Sequence, residues 1–393
     1  MNCIKATLKP GRDKPVALGH PWIFSGAIAS WSGPVAIGQN VDIVSSSGEW
    51  LARGLASPHG NLAVRVYSRD ETVRLDADFF LGKIAAAISW RESIIYPREP
   101  DTDAFRLCYS ESDGLSGVII DRYADHACLQ FNTSLLRSFE PAISDYLETR
   151  GLNPVVVHDL DAFHQEGATA PEASLPPSES VIIKESGFNY SVDFAEGQKT
   201  GFYLDQRENR RRVAVYAKGR RCLSAYCYTG SFELHLARAG ANGVIGVDRS
   251  EDAVARAKQH ADQNNMPSSC THMVADVPEA LRKFRDRGDT FDMIVLDPPK
   301  FVHNQKQLEK GLRAYKDINR LAMKLLAPGG ILGTFSCSGW VKRDVFLTAL
   351  EWSARDAGRT VQVLERLDQP PDHPVRLSFP ESDYLCGYIL RVE

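Results

Sequence analysis

The chain has 393 residues, 43% of them hydrophobic and 24% charged, which is typical of a globular protein with about two to three domains. Its 46 lysines and arginines against 50 aspartates and glutamates give a net charge of −4, so any polyanion site must be local. The start has no apolar stretch of signal-peptide length and no later segment has the apolar run of a membrane helix, so we expect a cytoplasmic protein without membrane association. Eight scattered cysteines, with no CxxC pair or zinc-type spacing, favour reduced thiols and no structural metal.

The first 180 residues predict two small domains. Residues 1–75 combine short β-type runs with turn signals and predict a β-barrel-like module. Its basic N-terminal stretch, suited to RNA phosphates, contains Lys9, Arg12 and Lys14. Residues 76–180 alternate between helical and strand-like spacing and predict a small central α/β domain, which ends in a proline-rich loop or linker.

Residues 181–393 alternate regularly between strands and helices. Strands are predicted at 221–225, 243–247, 271–274, 291–296 and 331–335, and helices at 231–239, 251–263, 277–285, 305–326 and 343–357. This alternation predicts a Rossmann-like α/β fold, with a doubly wound, mainly parallel sheet and helices on both faces. Such sheets bind ligands beyond the carboxyl ends of their strands.

Candidate cofactor residues fall at those strand ends. The turn at 226–231 follows the first strand and opens a helix, so its backbone amides can bind the polar end of a ligand. It has one glycine instead of a GxGxxG triplet, which disfavours a nicotinamide dinucleotide. Asp248 ends the second strand, where an acid can accept ribose hydroxyls, and Asp276 ends the third, where it could contact the amino group of adenine. For both acids, capping of the next helix is an alternative. The candidates in and beside the turn are Ala225, Tyr228, Thr229, Gly230 and Phe232.

Two further motifs end the fourth and fifth strands. Asp297 is followed by two prolines, which stiffen the loop and would aim the carboxyl group at a substrate. Cys337 stands between two serines at the mouth of the fifth strand. The chain therefore offers a carboxyl group and a thiol at neighbouring positions of the predicted sheet.

These motifs resemble the class I S-adenosylmethionine-dependent RNA methyltransferases, and closely the RlmI type, which makes 5-methylcytosine in large-subunit ribosomal RNA. The resemblance runs along nearly the whole chain and is most specific at 197–207, 228–232, 296–301 and 335–338. It implies an N-terminal PUA RNA-binding domain (1–75), the central α/β domain (76–180) and a C-terminal methyltransferase domain (181–393), with ribosomal RNA as partner. It also implies that Asp248 holds the ribose and that a lid covers S-adenosylmethionine, with contacts from Lys199, Thr200, Tyr203 and Gln206.

The chemistry implied by this resemblance needs a covalent step. Cytosine C5 is a poor nucleophile, and a thiolate added at C6 pushes electron density onto C5. Cys337 would supply that thiolate, while Asp297 would hydrogen-bond or protonate N3 and assist removal of the C5 proton. A buried structural role for Cys337 and a capping role for Asp297 are the alternatives, and Cys227 is the rival nucleophile.

Other assignments stay open at this point. A basic run that can contact phosphates, or form a solvated helix face, contains Arg210, Arg211 and Arg212. Loops with Asp-Pro-Pro also occur in enzymes that methylate exocyclic amines of guanine or adenine and need no cysteine. A non-catalytic RNA-binding or ribosome-assembly factor is a third possibility. The sequence specifies neither the modified nucleotide nor the oligomeric state, so a homodimer is open.

Overall fold

The computed structural model describes residues 3–169, 180–194 and 202–393. The chain divides into two compact units: unit 1 comprises residues 1–187, 192–204 and 371–382, and unit 2 comprises 188–191, 205–370 and 383–393. No helix in the described residues is long and apolar enough to cross a membrane. The boundaries of the three predicted domains stay a prediction.

Unit 1 begins with a six-stranded sheet built from short hydrophobic runs between turns. Its order is β2-β6-β5-β4-β1-β3, and β1 pairs with β4 in parallel. A short helix, α1 (Lys14–Ala17), follows β1, and the sheet core includes Val41, Ile43 and Val64. The predicted β-rich N-terminal module is confirmed. The strands are β1 (Ile4–Leu8), β2 (Trp22–Phe24), β3 (Ile28–Trp31), β4 (Asn40–Val44), β5 (Trp50–Ala56) and β6 (Leu62–Ser68).

A four-stranded sheet with helices follows and gives the predicted central α/β arrangement. Its order is β10-β9-β8-β7. Helix α2 starts where Asp76 accepts the amide hydrogen of Phe79, a normal N-cap. A 3-10 helix, Ser134–Phe139, leads directly into helix α3. The elements are α2 (Ala77–Ile95), β7 (Ala104–Tyr109), β8 (Val118–Tyr123), β9 (His126–Phe131), α3 (Glu140–Thr149), β10 (Asn153–His158) and α4 (Leu160–Gln165). Two further strands, β11 (Ser180–Glu185) and β12 (Phe188–Asp193), pair with each other.

Unit 2 contains a seven-stranded sheet of order β15-β14-β13-β16-β17-β19-β18. The first five strands of this order are parallel, and β19 runs antiparallel to both neighbours. The predicted doubly wound, mainly parallel sheet is confirmed. The strands are β13 (Arg221–Ala225), β14 (Gly243–Asp248), β15 (Cys270–Val274), β16 (Phe291–Leu296), β17 (Leu326–Ser336), β18 (Val361–Asp368) and β19 (Cys386–Val392).

Six helices accompany this sheet. Helices α8, α9 and α10 share one hydrophobic core with the strands, to which Leu281, Tyr315 and Phe346 contribute. Strand β13 lies between β14 and β16, so the strand order reverses there, and sheets of this type bind ligands in a crevice at the carboxyl ends of such strands. The helices are α5 (Arg207–Ala214), α6 (Ser231–Arg238), α7 (Glu251–Gln263), α8 (Val277–Asp286), α9 (Leu308–Leu325) and α10 (Arg343–Ala357).

Candidate active site

The turn after β13 has an unusual backbone. Tyr226, Tyr228 and Gly230 all adopt left-handed conformations, with φ of 65°, 47° and 83°. Left-handed backbone at residues other than glycine is costly and gathers at functional sites. A Cβ atom on Gly230 would lie 2.9 Å from the Cβ of Ala257, so only glycine lets the turn pack this closely on α7. The turn therefore has a fixed shape at the crevice.

Asp248 ties this turn to the next strand. Its Oδ2 accepts the amide hydrogen of Tyr228 at 3.0 Å, and its Oδ1 accepts that of Ser250 at 3.0 Å. Each carboxylate oxygen can accept a second hydrogen bond. The position predicted to hold ribose hydroxyls is thus oriented by backbone amides and keeps acceptor capacity.

A buried histidine supports the turn from below. His260 Nδ1 lies 2.8 Å from the carbonyl oxygen of Thr229, and the amide hydrogen of Ser191 is donated to Nε2 at 2.9 Å. Burial lowers the pKa of His260, which favours the neutral imidazole that can accept from Ser191 at Nε2 and donate to Thr229 from Nδ1. The Oγ1 of Thr229 is buried without a hydrogen-bond partner in the described part of the chain. An unsatisfied hydroxyl in this turn fits a polar ligand group.

The other residues predicted to bind the cofactor differ in exposure and in their contacts. Asp276 is exposed and accepts the amide hydrogen of Glu279 at 3.1 Å, which makes it the N-cap of α8. Its contact with adenine stays a prediction beside the capping that is observed. Ala225 and Phe232 are buried, and Phe232 packs on Phe335 with ring centroids 5.6 Å apart. Lys199 and Thr200 lie outside the described residues, and Tyr203 belongs to unit 1.

Asp297 lies at the carboxyl end of β16 and is hydrogen-bonded by Gln206, one of the residues predicted for the lid. Gln206 Nε2 donates to Asp297 Oδ1 at 2.9 Å. Burial raises the pKa of Asp297 to about 7; the nearby Asp205 charge raises it too, while Gln206 and Arg210 lower it. Both protonation states are therefore accessible near neutral pH, which suits a group that gives and takes a proton.

Gln206 is itself fixed by a side chain that the sequence analysis did not single out. Asn209 Nδ2 donates to Gln206 Oε1 at 2.7 Å and lies 3.0 Å from the carbonyl oxygen of Asp368. All four hydrogen-bonding groups belong to unit 2. The spacing of three residues between Gln206 and Asn209 is the one signal that could have suggested this pair.

Cys337 lies next to the Asp-Pro-Pro loop. Its Sγ is 3.8 Å from the carbonyl oxygen of Pro298, and the residue is partly exposed. The flanking serines are buried: Ser336 Oγ donates to the Tyr315 hydroxyl at 3.0 Å, and Ser338 Oγ donates to the carbonyl oxygen of Val302 at 2.6 Å. These two hydrogen bonds fix the backbone on both sides of the cysteine and leave its thiol beside the loop that carries Asp297.

The rival nucleophile has a different environment. Cys227 is buried, and a Cβ on Gly246 would lie 3.2 Å from its Sγ and 2.5 Å from Glu233 Oε1. Burial and then the charge of Glu233 raise the pKa of Cys227 well above its usual value. A thiol that stays protonated in the sheet core is a poor nucleophile.

The basic residues predicted to contact RNA differ in exposure and belong to both units. In unit 2, Arg210 is buried, Arg212 pairs with Glu365 at 2.7 Å, and Arg211 is exposed on α5. Arg211 is the most exposed of the three, and a phosphate contact by any of them stays a prediction. No cluster of three or more metal-ligating side chains occurs among the residues that the structure describes. In unit 1 the three predicted residues are exposed, namely Lys9, Arg12 and Lys14.

Comparisons with known proteins agree with this geometry. A family described as S-adenosylmethionine-dependent methyltransferase matches residues 158–383, and a PUA-like domain matches residues 6–69. Ribosomal RNA large subunit methyltransferase I of Shewanella denitrificans is 43% identical, and that of Shewanella frigidimarina 42%, each over 99% of both chains. The structure of SMU.776 in complex with SAH superposes with a TM-score of 0.83 at 20% identity, covering 98% of this chain and 99% of the other, which shows a shared fold.

Proposed function

The chain belongs to the family of S-adenosylmethionine-dependent methyltransferases that includes the ribosomal RNA large subunit methyltransferase I proteins, and from this premise we propose that it methylates C5 of a cytosine in large-subunit ribosomal RNA. S-adenosylmethionine, when bound, supplies an electrophilic methyl group. An enzyme with this substrate would work in the cytoplasm, where we also keep a homodimer as a prediction.

The cofactor has a fitting site at the carboxyl ends of β13 and β14. Asp248 would accept the ribose hydroxyls, and the amides of the 226–231 turn together with the unpaired Thr229 hydroxyl would face polar groups of the cofactor. Asp276 would reach the adenine amino group, and the predicted lid contacts of Tyr203 and Gln206 complete the proposal. His260 would maintain the turn, because it holds the Thr229 carbonyl from inside unit 2.

One observation carries the cytosine assignment: the thiol of Cys337 lies 3.8 Å from the carbonyl oxygen of Pro298, directly beside Asp297. A thiolate at this position can add to C6 of a cytosine whose N3 faces the carboxyl group. Asp297 in its protonated form donates a hydrogen to N3 and so neutralises the charge that the addition places on the ring. Its pKa of about 7 supplies that form at neutral pH.

The remaining steps restore the aromatic ring. The C5 carbon, now electron-rich, takes the methyl group as its bond to the cofactor's sulfur breaks, and N3 releases its proton to solvent. The C5 hydrogen then leaves as a proton, which the Asp297 carboxylate would accept, so that the protonated acid is restored. The bond between C6 and Cys337 Sγ then breaks, so that the thiolate is regenerated and the product carries a methyl group where the proton was.

Mass-spectrometric mapping of ribosomal nucleotides, in cells with and without the gene, tests this assignment. We expect one 5-methylcytosine of the large-subunit RNA to disappear with the gene and to return when the purified enzyme and S-adenosylmethionine are added. Loss of a methylated purine would instead support the exocyclic-amine alternative. That alternative rests on Asp297-Pro298-Pro299 alone and needs no thiol, so it predicts that Cys337→Ala retains activity.

A non-catalytic RNA-binding role is the remaining alternative. It predicts that the protein does not bind S-adenosylmethionine in calorimetry. The fixed turn and the oriented Asp248 argue for binding, because both acceptors and amides are held in place before any ligand arrives.

A further inference from the structure

Unit 1 carries three cationic side chains that come from distant parts of the sequence. Arg69 follows β6, Lys83 lies on α2, and Arg376 lies in the segment 371–382, which stands between β18 and β19 in sequence yet belongs to unit 1. We call these three residues the unit 1 cation cluster. None of them is among the basic residues that the sequence predicted for RNA.

The two arginines are anchored by backbone carbonyls next to Gly19. Arg69 donates to the carbonyl oxygen of Val16 from Nε at 3.2 Å and from Nη2 at 2.9 Å. Arg376 donates to the carbonyl oxygen of Glu111 at 2.7 Å and to that of Gly19 at 3.5 Å. The Nη2 of Arg69 also lies 3.9 Å from the position that a Cβ of Gly19 would take. Carbonyl oxygens orient the guanidinium groups without neutralising them.

Lys83 adds a third positive charge to the same region. Its Nζ is 3.5 Å from the Cβ position of Gly114, whose amide hydrogen is donated to the carbonyl oxygen of Glu111, the acceptor of Arg376. Burial is the main cause that lowers the pKa of Arg69 and of Lys83, and the charge of Arg376 lowers both further. The charge of Arg376 therefore acts against the positive charges of both Arg69 and Lys83.

No carboxylate within the described residues lies within 4.0 Å of any member of the cluster. The acids whose charges act on Lys83 and Arg376 also serve other arginines, since Asp113 pairs with Arg91 at 2.8 Å and Glu111 pairs with Arg65 at 3.3 Å. Positive side chains that lie together without a paired carboxylate create a positive potential, which attracts an anion.

Exposed apolar side chains border this cluster. Leu18 and Leu377 are 69% and 97% exposed, and they precede Gly19 and follow Arg376 in sequence. Cations beside exposed apolar groups suit single-stranded RNA, whose phosphates and bases need both kinds of contact.

We propose that the unit 1 cation cluster binds phosphates of the substrate RNA, while the exposed apolar groups beside it contact bases of an unpaired segment. The identity of the RNA rests on the proposed function. Guanidinium groups bind phosphates and carboxylates alike, so the choice of RNA over an acidic protein segment rests on the exposed apolar side chains beside the cluster, which suit unpaired bases.

Binding of protein-free large-subunit RNA, purified from cells that lack the gene, tests this proposal. The variants are Arg69→Gln, Lys83→Gln and Arg376→Gln, singly and together, with Arg150→Gln as the matched control because Arg150 pairs with Glu92 at 2.7 Å. At 0.15 M salt each lost phosphate contact should weaken binding about fivefold, and the triple variant about a hundredfold. The slope of log affinity against log salt should fall by about two to three in the triple variant.

Three results would overturn the proposal: unchanged affinity of the triple variant, an unchanged salt slope, or an equal loss in Arg150→Gln. An unchanged RNA affinity would leave a protein partner as the occupant.

Lys83→Gln keeps the test valid if Arg376→Gln fails to fold, since Lys83 holds none of the carbonyls that Arg376 binds. At saturating RNA the triple variant should methylate at the wild-type rate. If wild-type enzyme makes no 5-methylcytosine, the proposed function fails while the binding result still decides this inference.

Discussion

Replacing Gln206 by leucine tests whether Asp297 acts as an acid. In the wild-type protein, the Gln206 amide donates to Asp297 at 2.9 Å and stabilises the ionised carboxylate. Leucine is similar in size and cannot donate, so the protonated form gains relative to the ionised form. If protonated Asp297 is the active species, removing this hydrogen bond should extend activity to higher pH.

The size of the effect follows from the hydrogen bond that is lost. A hydrogen bond to a charged group contributes about 1.5 to 3 kcal/mol. Since about 1.4 kcal/mol corresponds to one pH unit, the alkaline limb of kcat/KM should move up by about one to two pH units. In the wild-type enzyme that limb should lie near pH 7, because activity falls as Asp297 ionises through a pKa of about 7.

The assay is single-turnover methyl transfer to large-subunit RNA between pH 6 and 9, with S-adenosylmethionine affinity measured separately by calorimetry. Asp297→Asn is the control: its amide can donate to N3 but can neither titrate nor accept the C5 proton, so activity should fall strongly and any residual activity should lack the alkaline limb. A limb that stays in place or moves down in Gln206→Leu would refute the assignment of protonated Asp297 as the acid.

Three further predictions concern the thiol and the cofactor turn. Cys337→Ala should lower methyl transfer by about 10⁴-fold or more with unchanged S-adenosylmethionine affinity, while Cys227→Ala remains active; equal activity of the first variant would contradict covalent catalysis. Gly230→Ala should lower the free energy of unfolding by about 1 to 3 kcal/mol in urea titrations and weaken cofactor binding, because φ is 83° and the Ala257 Cβ is 2.9 Å away. Burial lowers the pKa of His260, so its stabilisation is present above the ordinary histidine pKa and is lost as the pH falls below it; unfolding of His260→Gln between pH 5 and 8 should show a shallower loss at low pH.

The sequence predicted unit 2 well because each strand is short, apolar and followed by a helix of clear period. The predicted strand at 291–296 and the predicted helices at 251–263 and 343–357 agree residue for residue with the structure. The strand predicted at 331–335 is longer in the structure and covers Leu326–Ser336. The prediction started too late because Gly329 and Gly330 resemble a turn in sequence. A local pattern cannot tell a glycine pair inside a strand from one that ends it.

The predicted phosphate contacts show why a charge run is a poor guide to a surface. Consecutive residues on a helix point about 100° apart, so three successive arginines cannot share one face. On α5 this turns Arg210 inward, places Arg212 against Glu365 and leaves Arg211 exposed. The unit 1 cation cluster has the opposite character, because its members are isolated in sequence and meet only through the fold.

The sheet topology predicts that the loop carrying Asp297 lies close to Cys337. The burial and the hydrogen bonds of the two side chains could not be predicted from the sequence. Successive strands joined by a helix tend to become parallel neighbours, and β16 and β17 do so with Leu296 opposite Thr334. Their carboxyl ends then bring the Asp-Pro-Pro loop and the thiol to one edge. The pKa of Asp297, however, depends on burial and on Asp205 and Gln206, which lie about ninety positions earlier in the chain. The sequence therefore indicates the two candidate groups, and long-range packing sets the pKa of the carboxyl group.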